Sequence, residues 1–295
     1  MKTIHNGIEY ADMQMIAEIY GILRDGLGMG ATEIGDVFGK WNTGRLNSYL
    51  IEISEKVLKA KDPISGKPMV DVIVDSAGQK GTGKWSVIEA QNMGVAATAI
   101  EAAVAGRVLS SQRTERLAAE KQFGLPKAID APADSAAFLA DLENALLAAK
   151  IGAYAQGFAV MAAASKEYGW NLPMPTIAKI WRDGCIIRSA FLDEITSAFS
   201  KDPDVANLIV TPAFAQMVAD TDGALRRVVS YAVMSGLPVP ALSSALSYFD
   251  AYRRGRGTAN LIQAQRDFFG AHGFDRLDGV DKHHGPWGSG LADFA

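Results

Sequence analysis

Apolar residues recur along this chain at the spacings of buried helix faces. Ile4, Ile8, Met15, Ile19 and Leu23 predict one long opening helix, which ends where Gly26, Gly28 and Gly30 break the pattern. Thr32 with Glu33 and Asp36 opens a second helix, and Thr43 or Asn47 is placed to start a third that runs to about Leu58. Asp62, Pro63, Ser65 and Gly66 form a turn. Val70, Val72, Ile73 and Val74 read as a strand, or equally as a short apolar helical turn, and lead into a glycine-rich loop from Ala77 to Lys84. Alanine-rich helical patterns follow from Ala96 to Phe123 and from Ser135 to Tyr168, with more around Ile187 to Phe199, Pro212 to Ser235 and Pro240 to Arg253. After Tyr252 the composition changes to arginine, glycine and single aromatics, with one helical piece near Ala259 to Phe269 and an irregular end. The pattern predicts an all-α protein, with a large multi-helix domain over residues 1–252 and an extended tail over 253–295.

Composition narrows the choice of partners. Hydrophobic residues make up 48% of the 295 and charged residues 21%, as in an ordered globular protein. A formal net charge of -4 leaves no basic surplus for nucleic acid or an anionic membrane, so any anion site must be a local cluster. The single cysteine, Cys185, forms no intrachain disulfide and is expected to pack in the core beside Ile186 and Ile187. Met1 to Tyr10 has no leader-like apolar run, and no stretch is expected to approach the roughly 20 apolar residues of a bilayer span, which makes the cytoplasm the expected location.

Two glycine runs invite a nucleotide reading. Gly26 to Ala31 follows a helix rather than a strand, so it reads as helix termination and not as a pyrophosphate cradle. Gly78-Gln79-Lys80-Gly81-Thr82-Gly83-Lys84 has the spacing of a P-loop, but Trp85 stands where that motif needs Ser or Thr for magnesium. What remains is an anion cradle of amides and ammonium groups, or a solvated loop. On the opening helix, Lys2, His5, Asn6 and Glu9 share one narrow face with Tyr10 at its edge. The stripe is either a solvated polar face or a set of acid, base and amide groups able to orient a polyol and move protons.

These residues carry a resemblance. Lys2 to Gln14 resembles the catalytic-helix signature of the 6-phosphogluconate dehydrogenase family, and Asp75 to Trp85 resembles its substrate-phosphate loop. Tyr154-Ala155-Gln156-Gly157-Phe158, the run from Trp181 to Arg188 and the run from Ala259 to His272 are similar to further motifs of the family, in the same order. The resemblance implies oxidative decarboxylation of 6-phosphogluconate to ribulose 5-phosphate, with NADP as cofactor. It implies Lys2 as general base on the C3 hydroxyl, kept neutral by burial and by Lys80 and Arg107, and Glu9 as the acid that protonates C1. It further implies His5, Asn6 and Tyr10 on the sugar acid, Asn6 also on the cofactor, and Lys80, Thr82 and Arg107 on the phosphate. Arg266 and His272 match tail residues that reach the neighbouring subunit's site in a homodimer.

The departures matter as well. The family's Rossmann domain is not part of this sequence, so the resemblance implies a nucleotide-binding domain supplied by a separate chain or lost by truncation. The tail reads His283-His284-Gly285-Pro286-Trp287, and only His284 and Trp287 keep the family's spacing there. The adjacent histidines lack acidic or cysteine partners at ligand spacing, so no metal site is expected and both are read as solvated. A non-enzymatic sugar-phosphate binding or dimerisation module is the competing reading.

Overall fold

The computed structural model of the protein describes residues 1–182, 184–279 and 283–287. Among the described residues every regular element is helical, and extended pairing is limited to the isolated bridges Ser48–Ser189, Lys61–Pro68 and Phe274–His283. α1 spans Lys2–Gly21 and buries Ile4, Ile8, Met15 and Ile19 on one face; it runs into a π turn, Ile22–Gly26, closed by Leu27 N–H donating to Ile22 O at 3.1 Å. α2 is Ala31–Trp41 and α3 is Tyr49–Lys59.

The start of α3 differs from expectation. Ser48 caps it, its Oγ accepting from Ile51 N–H, while Thr43 Oγ donates to Lys40 O at 2.8 Å and Asn47 Nδ2 to Asn42 O at 2.7 Å. Both expected caps are thus committed to finishing α2 and its loop. The strand reading of Val70–Val74 is also corrected. Met69–Val72 form a single helical turn, α4, the alternative the sequence left open, and Val72, Ile73 and Val74 stay exposed, with no strand among the described residues to pair with them.

α5 is Thr82–Asn92, α6 is Thr98–Ser111 and α7 is Arg113–Phe123. The helix expected from Ala96 to Phe123 is broken at Gln112, whose ψ of 44° leaves helical space, and α7 buries none of its residues. α8 is Ser135–Glu167, capped by Asp134, which accepts from Ala137 N–H at 2.9 Å. The remaining helices are α9 (Met174–Arg182), α10 (Leu192–Lys201), α11 (Pro212–Met234), α12 (Pro240–Tyr252) and α13 (Ala259–Gly270). α9 was not anticipated, and α10 begins five residues later than expected because the preceding segment is tied to α3, with Tyr49 N–H donating to Arg188 O at 3.0 Å and Ala190 N–H to Asn47 O at 2.9 Å.

α8 is the centre of the core, flanked by α1 and α11, and apolar on every side because every side is packed. By length and composition it could cross a bilayer, contrary to the expectation that no stretch comes close; 83% of its most apolar window is buried inside the protein. The chain divides into two compact units, one from Met1 to Tyr248 and a second that begins at Phe249.

Candidate active site

The polar stripe of α1 lines a cleft of 1080 Å³ in the first unit. Lys2, His5, Asn6, Glu9 and Tyr10 enter it from α1, Lys80 and Thr82 from the glycine loop and the start of α5, and Arg107 from α6. Arg266 and His272 belong to the second unit. There Arg266 donates to Gln263 Oε1 at 2.9 Å, and His272 lines a separate cavity of 680 Å³.

The groups of the stripe lie close to one another. His5 Nδ1 lies 3.2 Å from Asn6 Oδ1 and 3.8 Å from Glu9 Oε2, and its ring meets Trp181 edge-on at 5.5 Å. Burial and the charge of Lys2 push the His5 pKa below its ordinary value, against an opposing hydrogen bond to Asn6 Oδ1. Glu9 moves the other way: burial raises its carboxyl, and the Arg107 guanidinium only partly offsets this. A carboxyl that holds its proton longer beside an imidazole that stays neutral is an acid and acceptor pair. Lys2 is exposed at the first residue of α1 and makes no ion pair among the described residues, so the burial expected around it is not provided by this chain.

The glycine loop is held by Arg107 and by two groups that sequence reasoning did not single out, Arg116 and Ser110. Arg116 on α7 binds the Asp75 carboxylate at 2.9 Å and the carbonyls of Asp75 and Ser110 at 2.6 and 3.0 Å. Ala77 N–H donates to Ser110 Oγ at 3.0 Å, and Arg107 Nη1 to Gly78 O at 3.1 Å. The loop is therefore tied at Asp75, Ala77 and Gly78, while residues 71–80 stay exposed. It ends in Gly81 at φ 85°, from which α5 springs with its amide-bearing N-terminus beside Lys80. Gly83 is required by close approach: a Cβ there would sit 2.6 Å from the Tyr10 ring, the same ring that carries the Arg107 guanidinium 4.5 Å from its centroid. Arg107 is in this way aimed by one glycine-loop carbonyl and one aromatic face.

The opposite wall comes from residues 184–188. Arg188 stacks over Tyr49 at 4.0 Å and lies 3.5 Å from Glu52; it stands in a quoted motif, but nothing local signals these partners on α3. Cys185 is not the core residue expected. It is half-buried and lines the cleft, its Sγ donating to Trp181 O at 3.0 Å. Burial pushes its thiol up, which opposes a nucleophilic role. Asp183, part of the same motif, lies outside the described residues. Behind the cleft, Asp12 and Lys150 form a buried ion pair at 3.0 Å, and Tyr154 donates to Ile187 O at 2.8 Å. The Tyr154 bond ties the 184–188 wall to α8.

The whole arrangement has known counterparts. The model of the "6-phosphogluconate dehydrogenase, C-terminal domain" family matches residues 1–287. The chain is 51% identical over 283 residues to the decarboxylating 6-phosphogluconate dehydrogenase of Schizosaccharomyces pombe, covering 96% of the chain and 57% of that relative. It is 46% identical over 286 residues to the NAD(+)-dependent decarboxylating enzyme of Bacillus subtilis, covering 97% of the chain and 61% of the relative. A solved structure of Plasmodium falciparum 6-phosphogluconate dehydrogenase, studied in its apo form and in complexes with NADP+ and with 6-phosphogluconate, superposes with a TM-score of 0.94 at 40% identity, over 97% of this chain and 62% of that one. The chain thus spans about three fifths of the length of the relatives it matches. It belongs to the 6-phosphogluconate dehydrogenase family and corresponds to that family's C-terminal domain.

Proposed function

We propose that this chain grips 6-phosphogluconate and performs the proton transfers of its oxidative decarboxylation to ribulose 5-phosphate and carbon dioxide. The observation that carries this is the convergence, in one cleft, of an acid–base stripe from α1 with Lys80, Thr82 and Arg107 from the glycine loop and α6. A phosphate dianion suits the second set, with Arg as a two-pronged donor and Lys as a point charge. With the phosphate held there, the sugar acid extends along His5, Asn6 and Tyr10. Lys2 takes the C3 hydroxyl proton as hydride leaves C3. The resulting 3-keto acid loses its C1 as carbon dioxide, the lysine returning its proton to the developing enediol oxygen, and Glu9 then protonates C1 of the enediol, the former C2 of the substrate. The reading of a non-catalytic binding module leaves the opposed shifts of His5 and Glu9 without a use.

NADP supplies the hydride acceptor when bound. The described residues fit only part of a dinucleotide: Asn6 offers an amide in the cleft, whereas no strand leads into Gly26–Gly30 to form a pyrophosphate cradle. The nucleotide-binding domain is assigned to another polypeptide segment, which would also bury Lys2, and the location is taken as cytoplasmic. Purified chain should make no NADPH from 6-phosphogluconate, and adding a family nucleotide-binding domain in trans should restore turnover that Lys2→Met abolishes. Sustained NADPH production by the chain alone would contradict this division of labour.

Arg266 and His272 are assigned to a partner subunit's cleft in a homodimer. Lys80→Ala and Arg266→Ala homodimers should each bind substrate poorly. Refolded together, random pairing makes about half the dimers mixed, so about a quarter of sites regain full affinity if each site combines two chains. Calorimetry showing no tight class, with heterodimers confirmed by mass spectrometry, would refute the shared site.

A further inference from the structure

The second unit is organised around one carboxylate. Asp267 on α13 is 1% exposed, while its neighbour Arg266 faces solvent. Four donors from two separate stretches converge on it. Gly273 N–H lies at 2.8 Å, His284 Nδ1 at 2.7 Å, Gly285 N–H at 2.9 Å and Trp287 Nε1–H at 2.6 Å. His284 is exposed, as read from the sequence, yet one ring nitrogen is engaged by Asp267. The Gly285 amide, with the other donors, holds the carboxyl well below the usual carboxylate range, so the acceptor is charged at any physiological pH.

The geometry around this hub links the two tail residues that the proposed function uses. Gln263 accepts from Arg266 through Oε1 and donates through Nε2 to Gly273 O at 2.5 Å, so Gly273 is held on its carbonyl side by Gln263 and on its amide side by Asp267. His272 is the next residue, and its ring fills the space over Gly270, where a Cβ would lie 2.7 Å from Nε2. The far stretch is closed by a glycine as well. A Cβ on Gly285 would lie 2.1 Å from the Trp287 ring, so only glycine lets the indole fold back to Asp267.

We propose that Asp267 is a positioning residue: by clamping 273 and 284–287 to α13 it fixes Arg266 and His272 in one geometry for the phosphorylated sugar acid. The proposal rests on the assignment of those two residues to substrate binding, and the test separates the two. In the full chain, Arg266→Ala should weaken 6-phosphogluconate binding about tenfold or more, the loss of one charge-assisted hydrogen bond. Asp267→Asn should weaken it at least as much. The double variant Arg266→Ala/Asp267→Asn should be no weaker than the poorer single, because the clamp acts through Arg266, whereas Lys80→Ala should add its full penalty in either background. Trp287 gives a direct signature: its indole N–H resonance, downfield beside a carboxylate, should move upfield in Asp267→Asn. Gly285→Ala, which alters no charge and serves if Asp267→Asn fails to fold, should shift that resonance and weaken binding alike. Wild-type affinity in both Asp267→Asn and Gly285→Ala, with Arg266→Ala impaired, would overturn the positioning role alone. Wild-type affinity in Arg266→Ala and His272→Ala would remove the tail reading and this proposal with it.

Discussion

Two acid–base sets meet on α1 within a turn of each other, one of them shared with Lys150 of α8, and have opposite fates. Asp12 and Lys150 are each 1% exposed and 3.0 Å apart, so their charges are committed to one another. Lys2 is exposed, and Glu9 reaches no closer than 3.8 Å to His5. A closed pair in a poorly solvated interior offsets its own desolvation and is lost to chemistry. An open set keeps donors and protons available for a ligand. The same helix therefore supplies a structural fastening on its inner face and a polar edge open to the cleft, three residues apart in sequence.

The comparison breaks most visibly at the closed pair. Asp12→Ala leaves the Lys150 charge buried without its partner and should cost about 3–5 kcal/mol in denaturant unfolding. A loss under about 1 kcal/mol would show that the pair is not what joins α1 to α8. Gly83→Ala drives a methyl group toward the Tyr10 ring and should cost about 1–3 kcal/mol, with a larger fraction of the effect appearing in ligand affinity because Arg107 rests on that ring.

A third carboxyl on α1 sharpens the contrast through pH. Glu18 accepts from Ala241 N–H at 2.8 Å and Leu242 N–H at 2.9 Å at the start of α12, and burial raises its pKa from 4.5 to about 7. Between those values the folded protein keeps a proton that the unfolded chain has released, so this group's contribution to stability is full below about 4.5 and is lost as pH rises to about 7. Urea unfolding across that window should show the difference between wild type and Glu18→Gln changing with pH, and a pH-independent difference would assign Glu18 an ordinary pKa. The smallest stability effect belongs to the open set: Lys2→Met should change unfolding free energy by less than about 0.5 kcal/mol while abolishing turnover in the reconstituted enzyme.

How much of this could be read from the chain follows from the range of the interactions. The stripe Lys2, His5, Asn6, Glu9 was legible because helical periodicity alone places those residues together. The α8 core helix was legible because packing on every side leaves a continuous alanine- and leucine-rich run. Lys80 and Arg107 came with the family resemblance, and no local rule joins them. What escaped depends on contacts distant in sequence. Arg116 looks like any charge on a polar helix until it meets Asp75, Arg188 until it covers Tyr49, and Asp267 until two later stretches fold back on it. Ser48 was passed over as a cap because Thr43 and Asn47 are equally good ones, and only their capture by the end of α2 decides the matter. The Val70–Val74 run shows the converse, since strand-like composition forms no strand without a partner.

The central claim is that the open cleft recognises the phosphate of 6-phosphogluconate through Lys80 and Arg107. Titration calorimetry of the purified chain with 6-phosphogluconate tests it most directly. Wild type should bind, and Lys80→Ala and Arg107→Ala should each lose about 1.5–3 kcal/mol, the range for hydrogen bonds to charged groups. Unchanged affinity in both variants would assign the glycine loop to structure and contradict the account.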